Sequence, residues 1–299
     1  MFVMDTLTRV LFHVFLTGTL LGLGLKVGKV ELLSVVRDKY WLGRLLVVNF
    51  LLIPAAGVLA AKTLTMKPGT SVALILLACA PGGIGALQFL SKKKEPTALA
   101  YGGGTTVLLS FLSILISPVL ISLALPEGMM LRVPYGNAVL FLSLFMLLPL
   151  IVGIAVHRMA AAAARKLAGP VTLIGTLAFI AVVVKLLALT KWAKGEMGKM
   201  GLIGIVLFIL ISMLIGWLLG GPRKFTRTVL ATVSSVRNVA LAMAIAIRSF
   251  PDFAVLAPLL AFAAIMVPAN TLYLLISKVA AKLAEKRGIE KGQSQSLPR

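Results

Sequence analysis

Long runs of apolar residues, separated by short polar stretches, dominate the pattern along this 299-residue chain. A helix that crosses the hydrocarbon core of a bilayer needs about 20 mainly apolar residues. The pattern predicts such helices at about residues 7–25, 42–61, 70–90, 98–124, 136–157, 168–190, 200–220, 228–247 and 253–277. We therefore predict an all-α polytopic membrane protein with about nine transmembrane helices.

The polar stretches between these runs are too short to hold a soluble domain. We predict one transmembrane domain over residues 1–280, followed by a polar cytoplasmic tail over residues 281–299 with at most a short helical continuation. The first 26 residues have no early basic segment and no clear cleavage site, so they are interpreted as a first span and not as a signal peptide.

Composition supports the membrane interpretation and excludes nucleic acid as a partner. Hydrophobic residues make up 60% of the chain and charged residues 13%, against about 45–50% and 25% in soluble proteins. A net charge of +21 would suggest nucleic-acid binding in a soluble protein. Here the basic residues lie between apolar runs, as the positive-inside rule requires, so the expected partners are lipid and a small solute.

The distribution of Lys and Arg predicts the orientation in the membrane. Alternate connections and the tail place 20 Lys and Arg residues on one side and 7 on the other. This excess predicts a cytoplasmic C-terminus and, with nine spans, an N-terminus outside. A bacterial inner membrane is the expected location.

The third run is interrupted by the sequence Cys79-Ala80-Pro81-Gly82-Gly83. Proline removes a backbone donor and clashes with the preceding turn, and glycine leaves helical geometry easily. A helix break inside a membrane frees backbone N–H and C=O groups, and it is tolerated only where protein or water covers those groups. The segment predicts a helix break, although a simple proline kink remains an alternative.

The eighth run contains Ser234-Ser235-Val236-Arg237-Asn238, a polar cluster at mid-span. Each interrupted run is followed by a long proline-containing run, with Pro118 in the first case and Pro258 and Pro268 in the second. Interrupted spans at corresponding positions of two halves indicate a transporter site built on inverted repeats. Because no residue-level repeat is evident, this hypothesis depends on the layout alone.

At these residues the chain resembles the bile acid:sodium symporter family, over about residues 22–273. The similarity rests on residues 22–25, Asn49, residues 79–83, Arg237 with Asn238, and Asn270. The resemblance implies a core domain, in which two discontinuous helices cross, beside a panel domain. It also implies the nine-span form that lacks the family's first helix, and a transporter with sodium as a possible bound ion.

The chain departs from the family at positions associated with sodium. Val233 occupies the position of a sodium-binding Glu, and the family's polar or hydroxyl positions here hold Ala86, Leu87, Ala100 and Gly104. Sodium, as a hard cation, requires oxygen ligands. The nine acidic residues lie in loops, tails or span edges. We therefore expect no metal site, no cofactor, and weakened or absent sodium coupling.

Arg237 is the least expected residue of the eighth run, because a mid-membrane charge is expensive unless it is paired or hydrated. One hypothesis is that its guanidinium replaces the sodium ion at the ends of the broken helices and attracts an anionic substrate. The alternative is a structural arginine that only caps backbone carbonyls. Both hypotheses predict backbone carbonyls at a helix break, or an anionic ligand, as its partners.

Other intramembrane polar residues complete the predicted substrate site at the crossing of the third and eighth spans. With Arg237 they are Asn238, Ser234, Ser235, Asn49, Gln88, Asn270 and Thr105, beside the helix break at Pro81, Gly82 and Gly83. Polar residues that only join helices are the alternative for each, and threonine often bonds to its own helix. His13 in the first span fits a proton relay or a structural role. Gly216 and Gly220 fit internal packing or a dimer face.

The predicted function is secondary transport of a small organic anion by alternating access. The alternatives are an uncoupled facilitator or channel on the same fold, and a non-transporting membrane scaffold or sensor. An enzyme is disfavoured, because two histidines, one cysteine and no mid-membrane acid leave too little chemistry for catalysis.

Overall fold

The computed structural model describes residues 6–83, 85–91, 96–125, 135–189, 197–250 and 253–295, and all regular secondary structure within them is helical. This confirms the all-α prediction. The helices of the first half are α1 (Thr6–Lys26), α2 (Lys29–Arg37), α3 (Lys39–Val47), α4 (Ile53–Thr63), α5 (Pro68–Ala78), α6 (Gly85–Ser91) and α7 (Pro96–Ala124). A π-helical segment, Val48–Leu52, joins α3 to α4 without interruption.

The second half continues with longer helices. They are α8 (Tyr135–Leu142), α9 (Leu148–Met159), α10 (Ala161–Leu189), α11 (Gly198–Leu219), α12 (Lys224–Ser235), α13 (Val239–Ser249) and α14 (Phe253–Gln295). A second π-helical segment, Ser143–Leu147, joins α8 to α9.

Among the described residues, eight helical segments are long and apolar enough to cross a membrane. They coincide with eight of the nine predicted runs. The remaining run, at 70–90, contains α5 and α6, and neither helix is long enough to span alone. The predicted multi-pass membrane protein is confirmed, and its third span is divided into two short helices.

The polar tail departs from expectation in its local structure. Helix α14 continues through residues 282–295, so the helical continuation is longer than the short one predicted.

Helices α1, α9 and α10 pack against one another and, with α8, form one group of spans, which we call the panel group. Small residues permit this close approach. A Cβ on Gly24 of α1 would lie 2.9 Å from the Cα of Gly153 of α9, and one on Gly18 would lie 3.1 Å from the Cα of Gly175 of α10. Glycine contacts of this kind are typical of membrane helices that pack backbone to backbone.

The other spans form a second group, the core group, which consists of α3–α4, α5–α6, α7, α11, α12–α13 and α14. Helix α11 packs closely on α12, because a Cβ on Gly216 would lie 2.6 Å from the carbonyl oxygen of Leu230, and Gly220 lies against Arg227. Of the two interpretations of the Gly216–Gly220 pair, the structure therefore supports internal packing.

The core group repeats one order of elements twice. A span (α3–α4), a divided span (α5–α6) and a proline-containing span (α7) are followed, after the panel helices α8–α10, by α11, α12–α13 and α14. Corresponding spans are five crossings apart in the chain. An odd number of crossings reverses direction, so the two sets run in opposite directions across the membrane, as in inverted repeats.

Candidate functional site

The first divided span breaks after Ala78, where the sequence reaches Pro81, Gly82 and Gly83. Gly82 has φ +87°, a left-handed conformation that favours glycine. Its carbonyl oxygen accepts a 2.8 Å hydrogen bond from Oγ of Ser110 on α7. The break is therefore a defined turn held by the next helix, and the alternative of a simple proline kink does not describe it.

The second divided span breaks between Ser235 and Val239. Val236 has an extended backbone (φ −89°, ψ 97°), which ends α12. The side-chain Oδ1 of Asn238 then accepts a 3.0 Å hydrogen bond from the backbone N–H of Leu241. This is an N-cap, the usual way in which Asn begins a helix, and it begins α13.

The two breaks meet directly. The backbone N–H of Asn238 donates a 2.8 Å hydrogen bond to the carbonyl oxygen of Ala80. A Cβ on Gly83 would lie 2.6 Å from the carbonyl oxygen of Val236, so only glycine allows the two backbones to approach this closely. Each break thus satisfies backbone groups of the other, which membrane burial requires.

The guanidinium of Arg237 lies inside this crossing, and the residue is 1% exposed. Its Nε donates to the carbonyl oxygen of Leu77 at 3.0 Å, and Nη2 donates to that of Ala78 at 2.6 Å. Its Nη1 donates to Oδ1 of Asn49 at 2.9 Å and, more weakly, to the carbonyl oxygen of Ser234 at 3.4 Å. The backbone carbonyls expected as partners are therefore present, and they come from both broken spans.

These carbonyls belong to two helix ends. Leu77 and Ala78 lie in the last turn of α5, and Ser234 lies in the last turn of α12. The C-terminus of a helix carries about half a negative elementary charge. The fixed positive charge of Arg237 thus faces two partly negative helix ends, and its hydrogen-bond acceptors are neutral oxygens.

Asn49 holds the guanidinium from a third span. It lies in the π-helical segment Val48–Leu52, a geometry that is often found at functional sites. While Oδ1 accepts from Arg237, Nδ2 donates to the carbonyl oxygen of Leu45 at 3.1 Å and lies 3.5 Å from Oγ of Ser234. Asn49, Ser234 and Arg237 therefore form one cluster, which we call the Arg237 cluster.

Ser235 and Asn270 form a separate pair between α12 and α14. Oγ of Ser235 lies 2.8 Å from Oδ1 of Asn270 and 2.9 Å from the carbonyl oxygen of Ala231. Nδ2 of Asn270 donates to the carbonyl oxygen of Met266 at 3.0 Å. Both side chains are fully buried, and these bonds join two helices of the core group.

One further predicted site residue, Thr105, lies outside the Arg237 cluster, and a second, Gln88, is described only in its backbone. Oγ1 of Thr105 accepts a 3.2 Å hydrogen bond from the indole N–H of Trp41, a contact between α7 and α3. The backbone of Gln88 belongs to α6, but its side chain lies outside the described residues. The first broken span contributes the carbonyls of Leu77 and Ala78 to the cluster.

Sequence reasoning missed two polar residues at or near the crossing, Ser110 and Thr232. Ser110 fixes the Gly82 turn, and the spacing of Ser110, Ser113 and Ser117 along one face of α7 was a signal for it. Two buried side-chain atoms, Nδ2 of Asn238 and Oγ1 of Thr232, have no hydrogen-bond partner among the described residues. An unpaired buried polar atom is unfavourable, so these atoms are available to a ligand or to water.

At the far end of α13, a cation–π contact joins the core group to the panel group. The Cζ atom of Arg248 lies 3.8 Å from the ring centroid of Phe141 on α8. The ring of His13 on α1 lies 4.5 Å from that of Phe145 and 6.2 Å from that of Phe141. Nδ1 of His13 is 2.7 Å from the carbonyl oxygen of Arg9, which supports its structural interpretation.

Comparison with known proteins identifies the family of this chain. The sequence profile described as the sodium bile acid symporter family matches residues 13–194, which is more than half of the chain and includes the first broken span. No curated protein sequence matches the chain. The second broken span, with Arg237, lies beyond the matched residues. The chain belongs to the sodium bile acid symporter family, whose members are multi-pass membrane transporters and not enzymes.

Proposed function

We propose that this protein is a secondary transporter of a small organic anion and that the guanidinium of Arg237 stands where other members of the family bind a cation. The observation that carries this proposal is the position of Arg237 between the C-terminal ends of α5 and α12. In transporters with broken helices, such ends commonly coordinate the coupling ion. A tethered positive charge stabilises the same two helix ends without leaving the protein.

The energies of burying and hydrogen-bonding the guanidinium of Arg237 favour this role. Removing a guanidinium from water costs several kcal/mol, and hydrogen bonds to a charged donor return about 1.5–3 kcal/mol each. Arg237 makes four such bonds, three of them to helix-end carbonyls. A sodium ion added to this site would meet like-charge repulsion at close range.

The ligand set for sodium is also incomplete. Val233, at the position that the family resemblance assigns to a Glu, is fully buried and offers no oxygen atom. Ala86 on α6 is likewise buried and apolar. Since sodium prefers oxygen ligands, these residues support weakened or absent sodium coupling.

The opposite side of the crossing suits the anionic group of a substrate. Helix α13 begins at Val239, directly after Asn238, and a helix N-terminus attracts negative charge. The buried Nδ2 donor of Asn238 has no partner among the described residues. We place the substrate's anionic group against Asn238 and the first turn of α13, with Arg237 contributing its charge from behind the crossing.

Alternating access would arise from movement of the panel group against the core group. The contact between Arg248 and Phe141 lies on the boundary between the two groups, at the end of α13 remote from the crossing. A single cation–π contact is worth about 0.5–2 kcal/mol and can open and close within a transport cycle. With the C-terminus in the cytoplasm of a bacterial cell, this contact lies at the outer side of the inner membrane.

Thermal unfolding of the purified protein in detergent tests the proposal, with sodium chloride compared against choline chloride. A ligand that binds only the folded state raises its stability, by about 2.7 kcal/mol at 100 times the dissociation constant. We expect no shift from sodium and a saturable shift from an organic anion added in choline chloride. A saturable sodium shift in the wild-type protein would contradict cation replacement by Arg237.

Two further measurements separate the alternatives. The first measures uptake of the stabilising anion into proteoliposomes under an imposed ion gradient. A coupled transporter accumulates the anion above its external concentration, whereas a facilitator does not. Asn238→Ala, compared with the wild type at equal amounts of folded protein, separates a transporter from a non-transporting scaffold. A scaffold would retain its cellular function, whereas a transporter would lose it because Asn238 lies at the crossing.

A further inference from the structure

Two arginines converge on the turn between α11 and α12, at the membrane face that carries most of the basic loops. Gly221 in this turn has φ +88°, and its carbonyl oxygen accepts a 2.7 Å hydrogen bond from Nε of Arg227. The space where a Cβ of Gly221 would lie is occupied by Nη1 of Arg44, from the last turn of α3. Guanidinium groups from two different spans therefore approach the same residue.

Positive charge is concentrated and unpaired at this turn. Arg223 and Lys224 follow Gly221 after Pro222, and their side chains are exposed, as is that of Arg44. Within the described part of the chain, no salt bridge involves any of these residues or Arg227. The carboxylate of Asp38, on the neighbouring loop, is occupied by the N–H of Trp41 and the hydroxyl of Tyr101.

An apolar surface adjoins these charges on the side of the membrane. The Cζ atom of Arg227 lies 5.1 Å from the ring centroid of Trp217, which is 41% exposed. Val47, one turn beyond Arg44, is 48% exposed, and Leu218 is 59% exposed. Tryptophan concentrates where headgroups meet acyl chains, so this arrangement fits the boundary between the two layers of a leaflet.

We propose that Arg44, Arg223, Lys224 and Arg227 bind the headgroup of an anionic phospholipid, whose acyl chains lie along Val47, Trp217 and Leu218. The planar donors of Arg match the oxygens of a phosphate, and basic pockets between transmembrane helices on the cytoplasmic side bind such headgroups. The lipid would join α3 to the α11–α12 turn, so it would brace two elements of the core group. This site does not depend on the identity of the transported solute.

Quenching of Trp217 fluorescence by brominated lipids tests the proposal. Trp192, which lies outside the described residues, is replaced by Phe, and Trp41 is 3% exposed and is therefore quenched less than Trp217. The protein is reconstituted in phosphatidylcholine bilayers with a fixed fraction of brominated phosphatidylglycerol or brominated phosphatidylcholine. We expect stronger quenching by phosphatidylglycerol. Arg44→Gln/Arg223→Gln should lower this preference about 30-fold, at about fivefold per basic residue.

The matched control removes two positive charges from the panel group, at the same face of the membrane. Arg158 and Arg165 lie at the α9–α10 turn and are exposed, so Arg158→Gln/Arg165→Gln should leave the preference within about twofold of wild type. An equal loss of the phosphatidylglycerol preference in both double variants would contradict the proposed site, because it would show that general surface charge produces the preference. Equal quenching by the two lipids in the wild type would overturn it as well.

A third experiment tests whether the basic cluster binds a soluble anion instead of a lipid headgroup. Inorganic phosphate at millimolar concentration, added at constant ionic strength, should not displace the brominated phosphatidylglycerol. Displacement would assign the basic cluster to a soluble phosphate ligand and not to a lipid. Should Arg44→Gln/Arg223→Gln fail to fold, Arg44→Lys, which keeps the charge but loses the planar fork, should still reduce the preference measurably.

Discussion

Oδ1 of Asn49 accepts a 2.9 Å hydrogen bond from Nη1 of Arg237, although the two residues are 188 positions apart in the chain. The bond fixes the guanidinium from the side that the two broken spans leave open. A neutral amide in this place orients the charge without neutralising it, so the positive charge still faces the two helix ends.

Arg237→Gln should destabilise the protein strongly, because it removes a charged donor and leaves the carbonyls of Leu77 and Ala78 without partners. We expect a loss of at least about 3 kcal/mol in the free energy of unfolding. Urea-induced unfolding in mixed micelles measures it. Arg237→Lys should not restore the wild-type value, since a single ammonium cannot reach acceptors on three spans.

The exposed Arg165 offers a control for this measurement, because Arg165→Gln removes the same charge at the membrane surface. Its free energy of unfolding should change by less than about 0.5 kcal/mol. Equal effects of the two substitutions would show that the buried bonds of Arg237 contribute nothing specific.

A sodium site should appear when the fixed cation is removed and a carboxylate is supplied. In Val233→Glu/Arg237→Gln, the ends of α5 and α12 lose their guanidinium and gain an acidic oxygen ligand one turn away. We expect sodium chloride to raise the melting temperature of this double variant relative to choline chloride, with saturation. The wild type should show no such shift, and neither should Val233→Glu alone, in which Arg237 would pair with the new carboxylate.

Gly83→Ala should disrupt the crossing, because its Cβ would lie 2.6 Å from the carbonyl oxygen of Val236, a backbone atom that cannot yield alone. Overpacking of this kind costs about 1–3 kcal/mol, and transport should fall with it. Gly43 of α3 has open space at its Cβ position. Gly43→Ala should therefore be neutral or stabilising by up to about 1 kcal/mol, and a loss as large as that of Gly83→Ala would contradict the argument.

Joining Arg248 to Phe141 should stop transport if the panel group moves against the core group. Both residues are replaced by Cys in a Cys79→Ser background and are linked with a short bifunctional methanethiosulfonate, which joins to each thiol through a reducible disulfide. Uptake of the stabilising anion should fall to background and recover after reduction.

The control pair lies within the panel group. Phe15 of α1 and Phe179 of α10 have ring centroids 4.6 Å apart, so cysteines at these positions link two helices that move together. Cross-linking them should leave uptake unchanged. Inhibition by both links would indicate general restraint of the protein and not a specific movement between the two groups.

The membrane-spanning fold could be predicted from the sequence because lipid imposes a simple rule of length and apolarity on each span. Pro81 with two following glycines also predicted the first break, since these residues oppose helical geometry. The helical extent of the tail was underestimated, because a polar and charged sequence such as residues 282–295 has no apolar period to mark a helix.

The arrangement of the site could be predicted only in part. Arg237 was identified because a mid-membrane charge demands partners, but its acceptors on Leu77 and Ala78 are backbone atoms that any residue supplies. Thr105 was expected at the crossing, and the structure places it against Trp41. Helix α7 carries both Thr105 and Ser110, and its sequence alone does not show that Ser110, and not Thr105, meets the first break.

The side chain of Arg237 cannot cross the membrane with the solute, and this has an energetic consequence for the direction of transport. A sodium ion that travels with an anion offsets its charge, whereas a tethered guanidinium leaves the anion to move alone. An interior-negative potential of 100 mV then opposes the entry of each unit negative charge by about 2.3 kcal/mol. For the anion transporter proposed above, such a potential favours exit of the anion or its exchange for another.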